Sequence, residues 1–162
     1  MARQTQVGTA PSAVFAPVEA IPAMRDLIRA IVDTGVVVIE PAGNGDRDLA
    51  SFNLPWLADP ADPGNSGALL VGAGDSPTTG IDLARAAGTN YGARVDVQGY
   101  GSGVLTAGYG EGIGTPEPKD RAYTSCFDGT SSASATVAGA VAALQGLARA
   151  TQGAPLAPEA VR

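Results

Sequence analysis

An apolar pattern with helical spacing occupies the first part of the chain. Between Glu19 and Thr34, apolar residues recur every three or four positions, which predicts an amphipathic surface helix. Pro22 fits the first turn of this helix, and Gly35 fits a C-terminal stop. The apolar face of the predicted helix consists of Met24, Leu27, Ile28, Ile31 and Val32.

Short runs of aliphatic residues predict the strands of a mainly parallel sheet. Val36–Ile39 directly follows the predicted helix and contains no polar residue, which is typical of a strand that is buried on both faces. Ala68–Ala73 has the same character, and Arg94–Val97 and Val104–Thr106 predict shorter strands. A helix followed by such a strand forms a βαβ unit whose first strand is weak or missing. The predicted fold class is therefore α/β.

Three long segments rich in Gly, Pro, Asp and Asn separate these elements. They cover residues 46–66, 74–93 and 109–127. Loops of this length in a compact domain are usually functional sites or surface insertions. Because no repeat or linker is visible, we treat residues 1–150 as one unit. Residues 151–162 predict a frayed tail or the lead into another element.

Charge and hydropathy argue against two classes of partner. The formal net charge is −6 and Lys119 is the only lysine, so the chain lacks the clustered basic residues that nucleic acid requires. The uncharged segment 132–148 consists mostly of Ala, Ser, Thr and Gly, and it is far less hydrophobic than a bilayer span. We therefore expect no membrane contact. The single cysteine, Cys126, is expected to be a small buried residue.

The strongest chemical signal is the segment Asp128–Leu144, where a glycine turn leads into a helix that is apolar on nearly every side. Such a helix is predicted to be buried. Ser131 would lie in its first turn, where unpaired N–H groups and the helix dipole stabilise an oxygen that gains negative charge. A serine in this position can be an acyl-transfer nucleophile or an ordinary helix cap.

The second signal is the Gly43–Gly45 turn, which follows the predicted strand from Val36. Asn44 lies at its centre. An asparagine amide can donate a hydrogen bond to an oxyanion, although Gly-Asn-Gly is also a common turn with positive φ.

Together these segments resemble the subtilases, the subtilisin-like serine proteases. Gly129, Thr130 and Ser131 match the nucleophile motif of that family, as do most of the residues up to Gly139, whereas Ala135 replaces the usual proline. The strand and Ala-Gly-Asn turn that end at Asn44 match a second family motif. Residues 69–76 and 90–101 are also similar to family segments. The matches run in family order from about Glu19 to Leu144.

The resemblance implies a partial subtilisin-like three-layer fold, with a mostly parallel sheet and a buried helix that carries the nucleophile. It implies that Ser131 is the nucleophile and that Asn44 donates to the oxyanion of a peptide or protein substrate. The substrate-binding positions that it implies are Pro41, Ala42, Gly43 and Thr130.

The histidine and aspartate of a subtilase both precede the oxyanion asparagine, and this sequence contains no histidine. A serine without a base is a weak nucleophile, and loss of the base lowers turnover roughly a millionfold. We therefore expect residues 1–150 to be the C-terminal part of a peptidase domain that is inactive alone. The chain would be a fragment of a longer protease, one half of a split enzyme or a decayed relative. The retention of Ser131 and Asn44 favours a fragment, whose partner is the N-terminal part of the same domain.

Other interpretations compete with this one. A non-catalytic remnant would keep the α/β core for structural or partner-binding purposes. A sedolisin-type serine carboxyl protease has a similar serine motif but carries an aspartate where this chain has Asn44. A Ser–Lys dyad would depend on Lys119 alone. A nucleotide-binding loop at Gly72–Gly74 lacks the third glycine and the following helix.

The resemblance implies no obligatory cofactor. Subtilases often bind calcium, but no run of carboxylates here has the spacing of a calcium loop. Residues 1–6 show no signal-peptide pattern, whereas many family members are exported, so the compartment stays open.

Overall fold

The computed structural model describes residues 5–7, 14–108 and 123–162. Its strands are β1 (Thr5–Val7), β2 (Val14–Ala16), β3 (Ile39–Pro41), β4 (Leu69–Gly74), β5 (Val97–Tyr100), β6 (Val104–Ala107) and β7 (Tyr123–Phe127). Its α-helices are α1 (Pro22–Val32), α2 (Pro55–Ala58), α3 (Thr130–Gln152) and α4 (Pro158–Val161), and two 3₁₀ turns span Val18–Ala20 and Leu49–Phe52.

A parallel sheet in the order β3-β4-β5 lies at the centre, with helices on both faces. All of β4 is buried, which confirms the strand predicted at Ala68–Ala73. Because side chains alternate along a strand, Leu70 packs with Leu57 of α2, while Val71 packs with Ala133 of α3. The predicted mixed α/β architecture with a parallel sheet is therefore confirmed.

Helix α1 confirms the first periodic pattern, and Pro22 lies in its first turn. Gly35 adopts a φ of +88°, as expected of a residue just beyond a helix. Only Ile28 and Val32 of the predicted apolar face are buried, against Ala68, whereas Leu27 is 52% exposed.

The strand predicted at Val36–Ile39 begins only at Ile39, and Val36 is half exposed. The reason is that its partner β4 begins at Leu69, directly opposite Ile39. The strand predicted at Arg94–Val97 likewise begins only at its last residue.

Strands β6 and β7 form a separate antiparallel ribbon instead of extending the parallel sheet. The strand predicted at Val104–Thr106 is present in this ribbon. Leu105 is 62% exposed, and Cys126 is exposed instead of buried, because a two-stranded ribbon covers few of its own side chains.

The prediction that α3 is a buried helix is wrong for most of its length. Its buried residues are Thr130, Ser132, Ala133, Ser134 and Ala148. Leu147 is 61% exposed and Leu144 is 41% exposed. A helix of 23 residues is about 34 Å long, whereas the six residues of β4 span only about 20 Å, so the sheet covers only part of the helix.

Over the described ranges, no helix combines the length and the apolar character that a membrane crossing requires.

The segment 151–162, predicted as a frayed tail or as the lead into another element, is held against the fold. The Gln145 side chain bonds both backbone groups of Leu156, donating to its oxygen at 3.0 Å and accepting from its nitrogen at 2.7 Å. After α4, Arg162 donates to Asp96 at 2.8 Å.

A buried ionic cluster links the turn before α1 to the sheet. The fully buried Arg94 lies 3.1 Å from Glu19 as an ion pair, donates to Asp96 at 2.6 Å, and donates to the Ala68 oxygen at 2.9 Å. The Glu19 N–H donates to the carboxyl of Glu40 in β3 at 2.9 Å. Burial, and secondarily the nearby Glu19 carboxylate, raise the pKa of Glu40 to about 8.

The raised pKa of Glu40 predicts a loss of stability as the pH rises. In the folded chain the Glu40 carboxyl keeps a proton that it releases above pH 4.5 in the unfolded chain. The contribution of Glu40 to stability is therefore complete below pH 4.5 and is lost as the pH rises through about 8. Urea unfolding across this range should show the decline in the wild type. Glu40→Gln stays neutral at every pH, so its stability should decline much less across this range. Glu159→Gln on the exposed face of α4 is the matched control, and equal slopes for all three proteins would contradict the prediction.

Candidate functional site

Gly129 sets the direction from which the chain enters α3. Its φ is +87°, a conformation that favours glycine. A Cβ atom at this position would also lie 2.9 Å from Nδ2 of Asn44. The Gly129 N–H donates to the Gly101 oxygen at 2.8 Å, just beyond the end of β5. The sheet therefore fixes where the helix begins.

The side chain of Asn44 is bonded directly to the start of α3. The backbone N–H and the hydroxyl of Thr130 each donate to Oδ1 of Asn44 at 2.9 Å. The Thr130 hydroxyl in turn accepts from the Gly43 N–H at 3.2 Å, and the Thr130 side chain is fully buried. Two segments that are 86 residues apart in sequence therefore share one hydrogen-bonded junction.

This junction brings two potential donors to the start of α3. Ser131 follows Thr130 in the first turn of α3, and its N–H has no acceptor among the described residues. The Nδ2 group of Asn44 also makes no hydrogen bond to a described residue, and it lies against Gly129. Both donors lie at the positive end of the α3 dipole, where they favour negative charge on a bound oxygen.

Exposure distinguishes Ser131 from its neighbouring serines. Ser132 and Ser134 are buried, and the hydroxyl of Ser134 donates to the Thr130 oxygen at 2.8 Å. Ser131 is partly exposed. Of these three hydroxyls, that of Ser131 is therefore the accessible one.

The four predicted substrate-binding residues are all buried. Pro41 ends β3, and Ala42 packs in the core beside Leu70. Gly43 is buried with a φ of +94°. The substrate-binding role of these residues stays a prediction, and at Pro41 and Ala42 it would involve the backbone rather than the side chains.

Asn90 is 1% exposed, and the sequence predicted no separate role for it. Its Nδ2 donates to the oxygens of Phe15 at 2.7 Å and Ala42 at 2.8 Å. Its Oδ1 accepts from the N–H groups of Gly45 at 3.1 Å and Arg47 at 3.0 Å. The glycines on both sides of Asn44 were the available sequence signal, because they indicate a turn wrapped closely around another group.

A cavity in the described fold lies away from this junction. It has a volume of about 500 Å³ and lies between β5 and α3, with Val97, Val137 and Leu144 in its walls. Neither Ser131 nor Asn44 lines it. We assign the candidate site to the junction, because its polar groups converge there.

The sequence analysis raised two further possibilities, a Ser–Lys dyad and a calcium ion without an identifiable site. Lys119, the base of the alternative dyad, lies outside the described residues. Within the described ranges, no three carboxylate or thiol side chains come together as metal ligands.

No protein-family model matches this chain, and no curated protein is significantly similar to it.

Thr130→Val tests the junction, because valine keeps the volume but removes the hydroxyl. The buried Gly43 N–H would lose its acceptor, and we expect the free energy of unfolding to fall by about 1–3 kcal/mol. Thr130→Ser should retain most of the stability. Thr136→Val, on the exposed face of the same helix, should change it by less than about 0.5 kcal/mol. Urea unfolding measures all three, and an equal effect of the two valine variants would contradict the junction.

Proposed function

We propose that this chain carries the nucleophile and oxyanion part of a subtilisin-like serine protease domain, with a peptide bond as substrate. The observation that carries the proposal is the pair of hydrogen bonds from Thr130 to Oδ1 of Asn44. These bonds put a carboxamide beside Ser131 at the start of a long helix. A mainly parallel sheet beneath that helix agrees with the same proposal.

The hydrogen bonds of Thr130 determine which way the Asn44 amide faces. A backbone N–H can only donate, so the atom that the Thr130 N–H contacts is the amide oxygen. The Thr130 hydroxyl accepts from Gly43 and donates to the same oxygen. The NH₂ group of Asn44 is then left to donate elsewhere. An asparagine held in this way is preorganised as an oxyanion donor, and losing one such donor costs about 2.7–4 kcal/mol of transition-state stabilisation.

In the proposed reaction, the Ser131 oxygen attacks the carbonyl carbon of a peptide bond. The carbonyl oxygen becomes an oxyanion, which accepts from Asn44 Nδ2 and the Ser131 N–H. The hydroxyl proton passes to a general base and then to the leaving amine as the C–N bond breaks. Water hydrolyses the resulting ester and regenerates the Ser131 hydroxyl.

The general base is the part of this mechanism that the sequence does not supply. Its 162 residues contain no histidine. The proposal therefore assigns the histidine and its orienting aspartate to a separate polypeptide segment, and it expects the present chain to have negligible turnover alone. That segment is the partner that the proposed function requires.

The absence of histidine also favours a second candidate, a non-catalytic remnant that keeps the α/β core. In that case, the Thr130–Asn44 junction would serve only to cap α3 and fix the preceding turn. The two candidates differ in whether Ser131 is reactive once a base is provided.

Chemical rescue tests the proposed nucleophile. A fluorophosphonate probe should label the wild type slowly, and the rate should rise with added imidazole, because free imidazole replaces the missing base. Ser131→Ala should abolish this labelling. Asn44→Ala should lower its rate about 10²- to 10³-fold, because the phosphonyl oxygen loses a donor. Mass spectrometry of peptides measures the site and the rate.

Ser132→Ala is the matched control, because it removes the neighbouring buried hydroxyl. It should leave the imidazole-dependent rate nearly unchanged. Labelling that persists in the Ser131 variant, or that shows no dependence on imidazole or on Asn44, would overturn the proposal in favour of the non-catalytic candidate.

A further inference from the structure

We propose that Asn90 is a positioning residue of the oxyanion site, which holds the turn that carries Asn44. This inference rests on the proposed function, because it assigns Asn90 a part in the same site. Asn90 lies in the loop between β4 and β5, and its side chain is almost fully buried. It reaches the site through the backbone that it binds.

Asn90 forms hydrogen bonds to the backbone on both sides of Asn44. On the near side, Nδ2 of Asn90 donates to the Ala42 oxygen at 2.8 Å, and its backbone N–H donates to the Gly43 oxygen at 2.9 Å. On the far side, Oδ1 accepts from the N–H groups of Gly45 at 3.1 Å and Arg47 at 3.0 Å. These contacts leave Asn44 at the apex, free to reach Thr130.

The two glycines beside Asn44 fit around Asn90. A Cβ at Gly43 would lie 2.7 Å from Nδ2 of Asn90, and a Cβ at Gly45 would lie 2.9 Å from its Oδ1. Either contact is closer than real side chains tolerate, so the turn can pack this tightly only because both residues lack a side chain.

The hydrogen-bonding capacity of the Asn90 amide is fully used. Besides the Ala42 oxygen, Nδ2 donates to the Phe15 oxygen at 2.7 Å, so both donors and both acceptor positions are occupied. No capacity remains for a substrate, and Asn90 is therefore a positioning residue rather than a catalytic one. The bonds also require both donors and acceptors, which an asparagine provides and an ionised aspartate does not.

Asn90→Asp tests this role without relying on activity. An ionised carboxylate would face the oxygens of Phe15 and Ala42 without a proton to donate, so the turn should move and Asn44 should leave Thr130. NMR can detect that bond directly, as the scalar coupling between the Thr130 nitrogen and the Asn44 side-chain carbonyl carbon. We expect the coupling to disappear, and exchange of the Thr130 amide to become about tenfold faster relative to amides of β4.

Acid rescue separates positioning from general destabilisation. At low pH the substituted carboxyl is protonated and regains one donor, so the coupling and the protection of Thr130 should partly return. If Asn90→Asp does not fold at neutral pH, the same spectra are recorded at low pH and for Asn90→Ser, which retains a smaller donor and acceptor.

Asn65→Asp is the matched control. Asn65 also shapes a loop, since its Oδ1 accepts from the Gly67 N–H at 2.9 Å, but it packs beside Arg162 instead of the Asn44 turn. This variant should keep the Thr130 coupling. An intact coupling in a folded Asn90→Asp, or its equal loss in Asn65→Asp, would overturn the inference. If the probe fails to label Ser131 while the Asn90 result holds, the proposed function fails, and Asn90 remains the residue that holds the Asn44 turn without an oxyanion role.

Discussion

The amide oxygen of Asn44 accepts two hydrogen bonds from Thr130, and the whole site depends on this contact. It fixes the distance between the turn after β3 and the start of α3. It also fixes the orientation of the amide, because the Thr130 N–H can only donate and therefore needs an acceptor. Without it, Ser131 would be one more serine in the first turn of a helix.

Three other features hold this constraint in place. Gly129 brings the chain into α3 with a positive φ and leaves room for the amide. The bond from Gly129 to Gly101 ties the helix start to the end of β5. Asn90 bonds the backbone on both sides of Asn44, and its contacts with Gly43 and Gly45 leave no space for side chains there. The site is thus built from backbone geometry, and few side chains take part.

The sequence predicted the elements that have strong local signals. The period of α1, the aliphatic run of β4 and the glycine turn before α3 all appear where the pattern placed them. The resemblance assigned Ser131 and Asn44 to one site, and that assignment stays a prediction. The hydrogen bonds between Thr130 and Asn44 depend on the three-dimensional approach of distant segments and could not be obtained from spacing.

The two failures of prediction, at α3 and at Asn90, also arise from three-dimensional packing that the local sequence does not show. Helix α3 was predicted to be buried because it is apolar on nearly every side, but the short sheet covers only part of it, and Leu147 is 61% exposed. Asn90 drew no separate attention because a single asparagine in a loop has no local signature. Its role arises from bonds to backbone groups that lie 43 to 75 residues away in sequence.

The most direct test is a crystal structure of the chain with a phosphonyl group on Ser131. The account predicts that the phosphonyl oxygen lies about 2.7–3.1 Å from both Asn44 Nδ2 and the Ser131 nitrogen. A phosphonyl oxygen that points away from Asn44, with the amide still bonded to Thr130, would contradict it.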